Sequence, residues 1–288
     1  MSEAAAVLDG VEASAASAPE TKRRPERLTL RRDAEHTTVV RVGTVEIGGG
    51  VPVVIAGPCS VESREQLMAA AEGVKAVGAR LLRGGAYKPR TSPYDFQGLG
   101  LEALLLLREA SERTGLPVVS EVMSTDDVEL VSEHVDMLQV GARNMQNFAL
   151  LRRLGKAERP VLLKRSPAAT VKEWLLAAEY ILAGGNEQVV LCERGIRSYD
   201  PELRNTFDIG GMVLAKLQTH LPVIADPSHA TGRRELVAAV SRAALAAGAV
   251  GLIIEVHPQP ERALSDGAQS LDLPGFGTLM QGVPSVIA

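Results

Sequence analysis

Four residues of types that bind transition metals stand far apart in this chain: Cys59, His229, Glu255 and Asp266. A thiol, an imidazole and two carboxylates make a donor set for a divalent ion such as Mn²⁺, Fe²⁺, Co²⁺ or Zn²⁺, and magnesium is less natural beside sulfur. Singly, a cysteine of this kind often packs as a small apolar residue, and a lone His or Glu is often only hydrogen-bonded. A second group is cationic: Arg83, Lys88, Arg90, Arg143, Lys164, Arg165, Arg194 and Arg197. The whole chain carries −4 net charge and only seven lysines. Cations gathered in one place against that background suit phosphate and carboxylate, whereas a solitary Arg after a strand is a solvated loop residue as readily as a ligand. Cys192 has no such company and reads as barrel packing. His36, His134 and His220 lie in the tail or near helix ends and are assigned no chemistry.

These residues share a position in a repeating pattern. From Val51 a unit recurs of short apolar strand, polar loop and amphipathic helix, which marks parallel β/α architecture. Eight strands are expected: 51–57, 79–85, 117–122, 137–142, 161–165, 188–194, 222–228 and 251–257. Helical stretches such as 64–77, 171–183 and 233–247 carry apolar residues at helical spacing, and Gly78, Gly184-Gly185 and Gly248 follow them as C-terminal stops. Nearly uniform apolar strands are covered on both faces, favouring a single closed (β/α)8 TIM barrel. An open doubly wound sheet is the alternative, weakened because Gly57-Pro58-Cys59-Ser60 matches neither nucleotide-binding fingerprint. In a barrel the reactive groups sit where strands end, and there the sequence places the cations together with Glu121, Asp226 and His257. Closure would set strand eight between strands seven and one, bringing the four metal-binding types together.

The remaining chain narrows the function. A net charge of −4 and a pI near 5.8 provide no basic field for nucleic acid or an anionic membrane. No apolar run is long enough to span a bilayer and no secretory leader is evident, so a cytoplasmic location is expected. Two cysteines are too few for a disulfide scaffold. Residues 1–27 read as a flexible tail rich in Ala, Ser, Glu and Arg. Residues 28–50 read as an extension whose alternating 39–49 segment forms a hairpin able to close the bottom of the barrel, and 51–288 as the catalytic barrel.

Seven segments then resemble one family in order: AGPCSVES (56–63), GGAYKPRTSPYDFQG (84–98), QVGARNMQN (139–147), LLKR (162–165), LCERGIR (191–197), DPSHATGRR (226–234), and IEVHP with SDGAQSL (254–258, 265–271). They are similar to the 3-deoxy-7-phosphoheptulonate (DAHP) synthases of type I, in the branch related to 3-deoxy-manno-octulosonate 8-phosphate synthases. The resemblance runs from about Val39 to Leu271. It implies condensation of phosphoenolpyruvate with erythrose 4-phosphate, with one divalent metal, Mn²⁺ first among the candidates, held by Cys59, His229, Glu255 and Asp266. It implies that Arg83, Lys88 and Lys164 hold the enolpyruvate carboxylate region, Arg143 and Arg194 its phosphate, and Arg90, Thr91 and Ser92 the aldose phosphate. Lys88 is the candidate proton donor. Octulosonate synthases, which use arabinose 5-phosphate, carry an Ala-Asn-Arg-Ser run where this chain has Pro89-Arg90-Thr91, so the four-carbon aldose is favoured. Ser166-Pro167 depart from the family's usual glycine and methionine or leucine and should stiffen a loop near the enolpyruvate site. The resemblance further implies a dimer or tetramer. The short N-terminal region implies no built-in regulatory domain, so feedback control would need a partner such as chorismate mutase. A non-catalytic barrel that binds phosphometabolites is the reading from another class.

Overall fold

The computed structural model describes residues 27–90 and 92–283. The tail reading therefore falls almost wholly outside the described residues, and so does Thr91.

Eight parallel strands close into a barrel in chain order: β3 (Val53–Gly57), β4 (Leu81–Arg83), β5 (Val118–Glu121), β6 (Met137–Val140), β7 (Val161–Lys164), β8 (Val189–Glu193), β9 (Val223–Ala225) and β10 (Gly251–Glu255). Each lies within its expected segment, trimmed by a few residues where the ladder hydrogen bonds end. Closure is made by β10 against β3, from Gly251 opposite Val53 to Glu255 opposite Gly57. The open-sheet alternative is thereby excluded.

Alternation along the strands explains both the core and the site. Val54, Ala56, Leu82, Val118 and Leu138 face outward into the apolar layer shared with the helices, while Ile55, Leu81, Val119, Met137, Leu162, Val190, Ile224 and Ile253 fill the barrel interior. Successive strand side chains point to opposite faces, so the residue two places on returns to the interior one layer higher. Those residues are Arg83, Glu121, Gln139, Lys164, Cys192, Asp226 and Glu255, all buried. The period that builds an apolar plug thus stacks a polar layer on top of it. Cys192 alone among them stays in the apolar interior cluster, the packing role expected of it.

The bottom is closed by the hairpin of β1 (Val40–Val42) and β2 (Val45–Ile47), whose Val40, Val42, Val45 and Ile47 join the interior cluster while Arg41 and Glu46 face out. The preceding segment is tied on by the Glu179 carboxylate, which accepts from Leu28 N, Thr29 N and Thr29 Oγ1.

Around the barrel run α1 (Arg64–Ala76), α2 (Leu101–Thr114), α3 (Asp127–His134), α4 (Phe148–Leu154), α5 (Val171–Leu182), α6 (Ile209–Gln218), α7 (Pro227–Thr231), α8 (Arg234–Ala246) and α9 (Leu273–Gly282). Thr170 and Glu173 form a reciprocal capping box on α5. Gly78 and Gly248, after α1 and α8, adopt positive φ, as chain reversal there requires.

Candidate active site

The four metal-binding types meet at the top of the barrel. One donor atom from each of Cys59, His229, Glu255 and Asp266 lies within 4.8 Å of every other. Each arrives by a different route. Glu255 ends β10 and Gly57 ends β3 opposite it, which places Cys59 two residues further on. Gly57 is required there: at φ +149° an added Cβ would stand 2.2 Å from Arg83 O, so only glycine lets β3 pass β4 this closely. His229 sits in α7, whose N-cap Asp226 follows β9 and accepts from His229 N at 2.9 Å. Asp266 comes from the loop after β10 with φ 55°, an uncommon backbone state for a residue with a side chain. It is held by Arg204 Nη1, 3.0 Å from Oδ1, and by the Cys59 thiol, 3.1 Å from Oδ2.

The electrostatics show what this cluster lacks. Burial pushes the Cys59 thiol up to about 12, helped by Glu255 and Asp266 and opposed by Lys88 and Arg83. Burial likewise brings His229 down to about 4, against the pull of Asp226 and Glu255, so the imidazole is neutral at physiological pH. Asp266 and Glu255 remain ionised: burial would raise both, but His229 in its protonated form with Arg204 for the first, and the same imidazolium with Arg83 for the second, hold them below the ordinary carboxylate range. His229 Nδ1 lies 2.7 Å from Asp226 Oδ2 and Nε2 lies 3.2 Å from Glu255 Oε1, so a proton on Nδ1 toward Asp226 leaves the Nε2 lone pair for a cation. Glu255 Oε1 receives no aligned hydrogen bond, although Arg83 Nη2 stands 3.2 Å away. His229 Nε2 and Glu255 Oε1 facing each other beside a thiol and a second carboxylate form a cradle for a cation, and a soft–hard mixture of S, N and O donors suits a divalent transition metal. Glu255 is fixed from behind by Gln269 Nε2 at 2.5 Å, and Gln269 Oε1 in turn accepts from Arg204.

Above this cluster opens a cavity of about 430 Å³ lined by Arg83, Lys88, Arg90, Arg143, Lys164, Arg194 and Arg197, with His229 and Asp266 on its floor. Cations from the ends of four strands, β4, β6, β7 and β8, and the loops after them thus converge at one mouth. Several donors have no protein acceptor: Arg83 Nε and Nη1 and Arg90 Nη2 are buried without a hydrogen bond. Buried guanidinium groups with unused N–H are placed for an incoming anion. Lys88 Nζ reaches Cys59 Sγ at 2.9 Å and Cys59 O at 3.2 Å, joining the cation wall to the metal cradle. Burial disfavours its ammonium, but Cys59, Glu121 and Glu255 outweigh that and hold its pKa above the ordinary lysine value.

Two expected members stand elsewhere. Arg165 does not reach the cavity: its Nη1 binds Glu193 Oε2 at 2.7 Å and Asp208 Oδ2 at 2.8 Å behind the wall, and the guanidinium lies 5.9 Å from the Trp174 ring centre. It follows Lys164, which points inward, so alternation sends it out. Ser92 does not line the cavity, and its Oγ accepts from Tyr94 N at 3.3 Å. Ser166 and Pro167 do line it, and Pro167 O accepts from Arg197 N at 2.9 Å, so this departure braces a cation of the wall. Arg204, Asn205 and Gln269 were not singled out as site residues in the sequence, because they lie in loops with neither period nor strand end to mark them. The Gln269 segment was visible only as part of SDGAQSL.

Known proteins resemble this chain in sequence and fold. Residues 27–286 match the DAHP synthetase I family. The phospho-2-dehydro-3-deoxyheptonate aldolase of Thermotoga maritima is 52% identical over 258 residues, covering 90% of this chain and 76% of that protein. Its crystal structure superposes with a TM-score of 0.87 at 51% identity, over 91% of this chain and 77% of that one. The structure of a truncated 3-deoxy-D-arabino-heptulosonate 7-phosphate synthase from the same organism gives 0.83 at 48% identity, over 90% and 95%. More distant is the 2-dehydro-3-deoxyphosphooctonate aldolase of Syntrophotalea carbinolica, 34% identical over 81% of this chain and 90% of that protein. A cation-walled cavity over a sulfur, nitrogen and carboxylate cradle at the mouth of a closed barrel, with matches of this extent, makes the chain a member of the DAHP synthetase I family.

Proposed function

We propose that the chain condenses phosphoenolpyruvate with erythrose 4-phosphate and water, releasing 3-deoxy-D-arabino-heptulosonate 7-phosphate and inorganic phosphate, as the first step of the shikimate pathway. The observation that carries this reading is the direct opening of the anion cavity onto the four-donor cradle. Cys59, His229, Glu255 and Asp266 would hold one divalent ion, Mn²⁺ in preference to Fe²⁺, Co²⁺ or Zn²⁺. When bound, the ion supplies Lewis-acid polarisation of the aldehyde.

The protein groups do the rest. Arg83, Lys88 and Lys164 hold the enolpyruvate carboxylate region and Arg143 and Arg194 its phosphate. Arg90, with Thr91 of the same loop, receives the aldose phosphate, and Ser92, set back from the cavity, would join them only if that loop moves inward. Both reactants are then fixed within one cavity, which removes the entropy cost of their encounter from the chemical step. The C2–C3 π electrons of phosphoenolpyruvate form a bond to the aldehyde carbon, and the aldehyde oxygen takes a proton from Lys88. Water adds at C2 and one of its protons restores the Lys88 ammonium; the bond from C2 to the phosphate ester oxygen then breaks as the new C2 hydroxyl gives its proton to the departing phosphate, leaving a ketone and inorganic phosphate. The guanidinium groups stabilise the phosphate charge as it develops. Residues 51–288 act as the catalytic domain, with 28–50 as its bottom closure. The reading extends to a cytoplasmic enzyme, consistent with the absence of a membrane-length apolar helix among the described residues. It also extends to a dimer or tetramer that buries exposed Leu101, Leu105, Leu214 and Leu217, with chorismate mutase as a regulatory partner.

The test is phosphate release measured with phosphoenolpyruvate and each aldose, after chelation and after Mn²⁺ is restored. Turnover should require both substrates, vanish with chelator, return with Mn²⁺, and favour erythrose 4-phosphate. Preference for arabinose 5-phosphate would reassign the chain as an octulosonate synthase, and no turnover under any metal would leave a binding protein.

A further inference from the structure

Asp226 is a fully buried carboxylate that touches both halves of the site without belonging to the four-donor cradle. Its Oδ2 accepts from Lys164 Nζ at 2.6 Å and lies 2.7 Å from His229 Nδ1, while its Oδ1 caps α7 by accepting from His229 N at 2.9 Å. Lys164 lines the anion cavity, and the far side of the His229 ring, Nε2, faces Glu255 Oε1 and Asp266 Oδ2 at 3.2 and 3.9 Å. A single oxygen is therefore shared between an ammonium that meets substrate and an imidazole that meets metal. The contact to Nδ1 is close but off the axis of a straight hydrogen bond, so it is the weaker of the two as the groups now stand.

Resting on the proposed function, we infer that Asp226 is a positioning residue through which phosphoenolpyruvate and the metal tighten each other's binding. An anion at Lys164 draws the ammonium's charge toward itself and leaves Oδ2 freer to accept from Nδ1–H, and a histidine whose second nitrogen donates to a carboxylate is a stronger and better oriented ligand. Conversely, a cation on Nε2 polarises Nδ1–H and draws Oδ2 toward the ring, leaving Lys164 less neutralised and better able to hold an anion. Linkage makes the two effects equal, and couplings of this kind are on the order of 5–150-fold. Direct attraction between a dication and a trianion adds a component that does not pass through Asp226.

The test measures Mn²⁺ dissociation constants of the full chain by competition with a fluorescent chelator, with and without saturating phosphoenolpyruvate and no aldose. Asp226→Asn retains an N-cap for α7 but removes the shared charge. The wild-type chain should bind Mn²⁺ about tenfold tighter with phosphoenolpyruvate present. Asp226→Asn should weaken Mn²⁺ alone by about 10–100-fold and also lower the tightening factor at least about threefold. A weaker Mn²⁺ site with an unchanged factor would overturn the inference, because Asp226 would then serve only to hold the imidazole. Lys164→Met cuts the same relay from its other end and leaves direct attraction in place. Its tightening factor should also fall, and a wild-type factor there would overturn the inference even if Asp226→Asn did not fold. Failure of the wild-type chain to bind Mn²⁺ at all would overturn the proposed function, and the inference with it.

Discussion

Loading the cradle with Mn²⁺ has to expel one proton, and the structure says which. Cys59 carries its proton, with a pKa pushed up to about 12 by burial and by Glu255 and Asp266. His229, at about 4, has already lost the second one above mildly acid pH, and both carboxylates are ionised. Metal and proton compete for Sγ, so raising the pH favours metal, and apparent affinity should rise about tenfold per pH unit between about pH 6 and 8. Displacing that proton at pH 7 costs about 7 kcal/mol, which is subtracted from the intrinsic metal–thiolate affinity at that pH. Calorimetric Mn²⁺ titrations in buffers of different ionisation heat should register one proton released per ion. Cys59→Ser keeps its hydroxyl proton, so the slope should fall to near zero together with the affinity. A slope of two in the wild-type chain, showing that His229 also discharges, or a full slope retained in Cys59→Ser, would refute this reasoning.

Other expectations concern packing and charge. Cys59→Ala should lose Mn²⁺ and turnover together, whereas Cys192→Ala, in the apolar interior, should keep both and cost on the order of 1 kcal/mol in urea unfolding; equal activity losses with unchanged metal content would count against the assignment. Arg165→Met strands the fully buried Glu193 carboxylate, and urea unfolding should show a loss of about 3–5 kcal/mol; a loss near zero would mean that Glu193 takes up a proton at no cost. Ile47→Ala empties part of the hairpin plug and should cost about 2–5 kcal/mol while leaving Mn²⁺ affinity intact, since the cradle lies at the other mouth; a parallel fall in affinity would place the hairpin in the site.

Much of this was legible in the chain because two periods coincide. Strands buried on both faces read as apolar runs, and a polar residue two places after an interior apolar one, as in Leu81 and Arg83 or Leu162 and Lys164, marks the top layer. Closure then made neighbours of Cys59 and Glu255, which no local pattern could reveal. Residues whose direction depends on a single step of alternation were harder to read: Arg165, one place beyond Lys164, was grouped with the rim cations although it faces a buried Glu193. Arg204 and Gln269, which fix Asp266 and Glu255, escaped because loop positions carry no period and their partners are distant in sequence.

The most direct measurement is anomalous diffraction from crystals grown with Mn²⁺ and phosphoenolpyruvate. The expected result is one strong peak bonded to Cys59 Sγ, His229 Nε2 and oxygens of Glu255 and Asp266, with phosphoenolpyruvate against Arg83, Lys88 and Lys164 above it. A manganese peak held by other residues, with the four donors still paired among themselves, would contradict the site and the chemistry built on it.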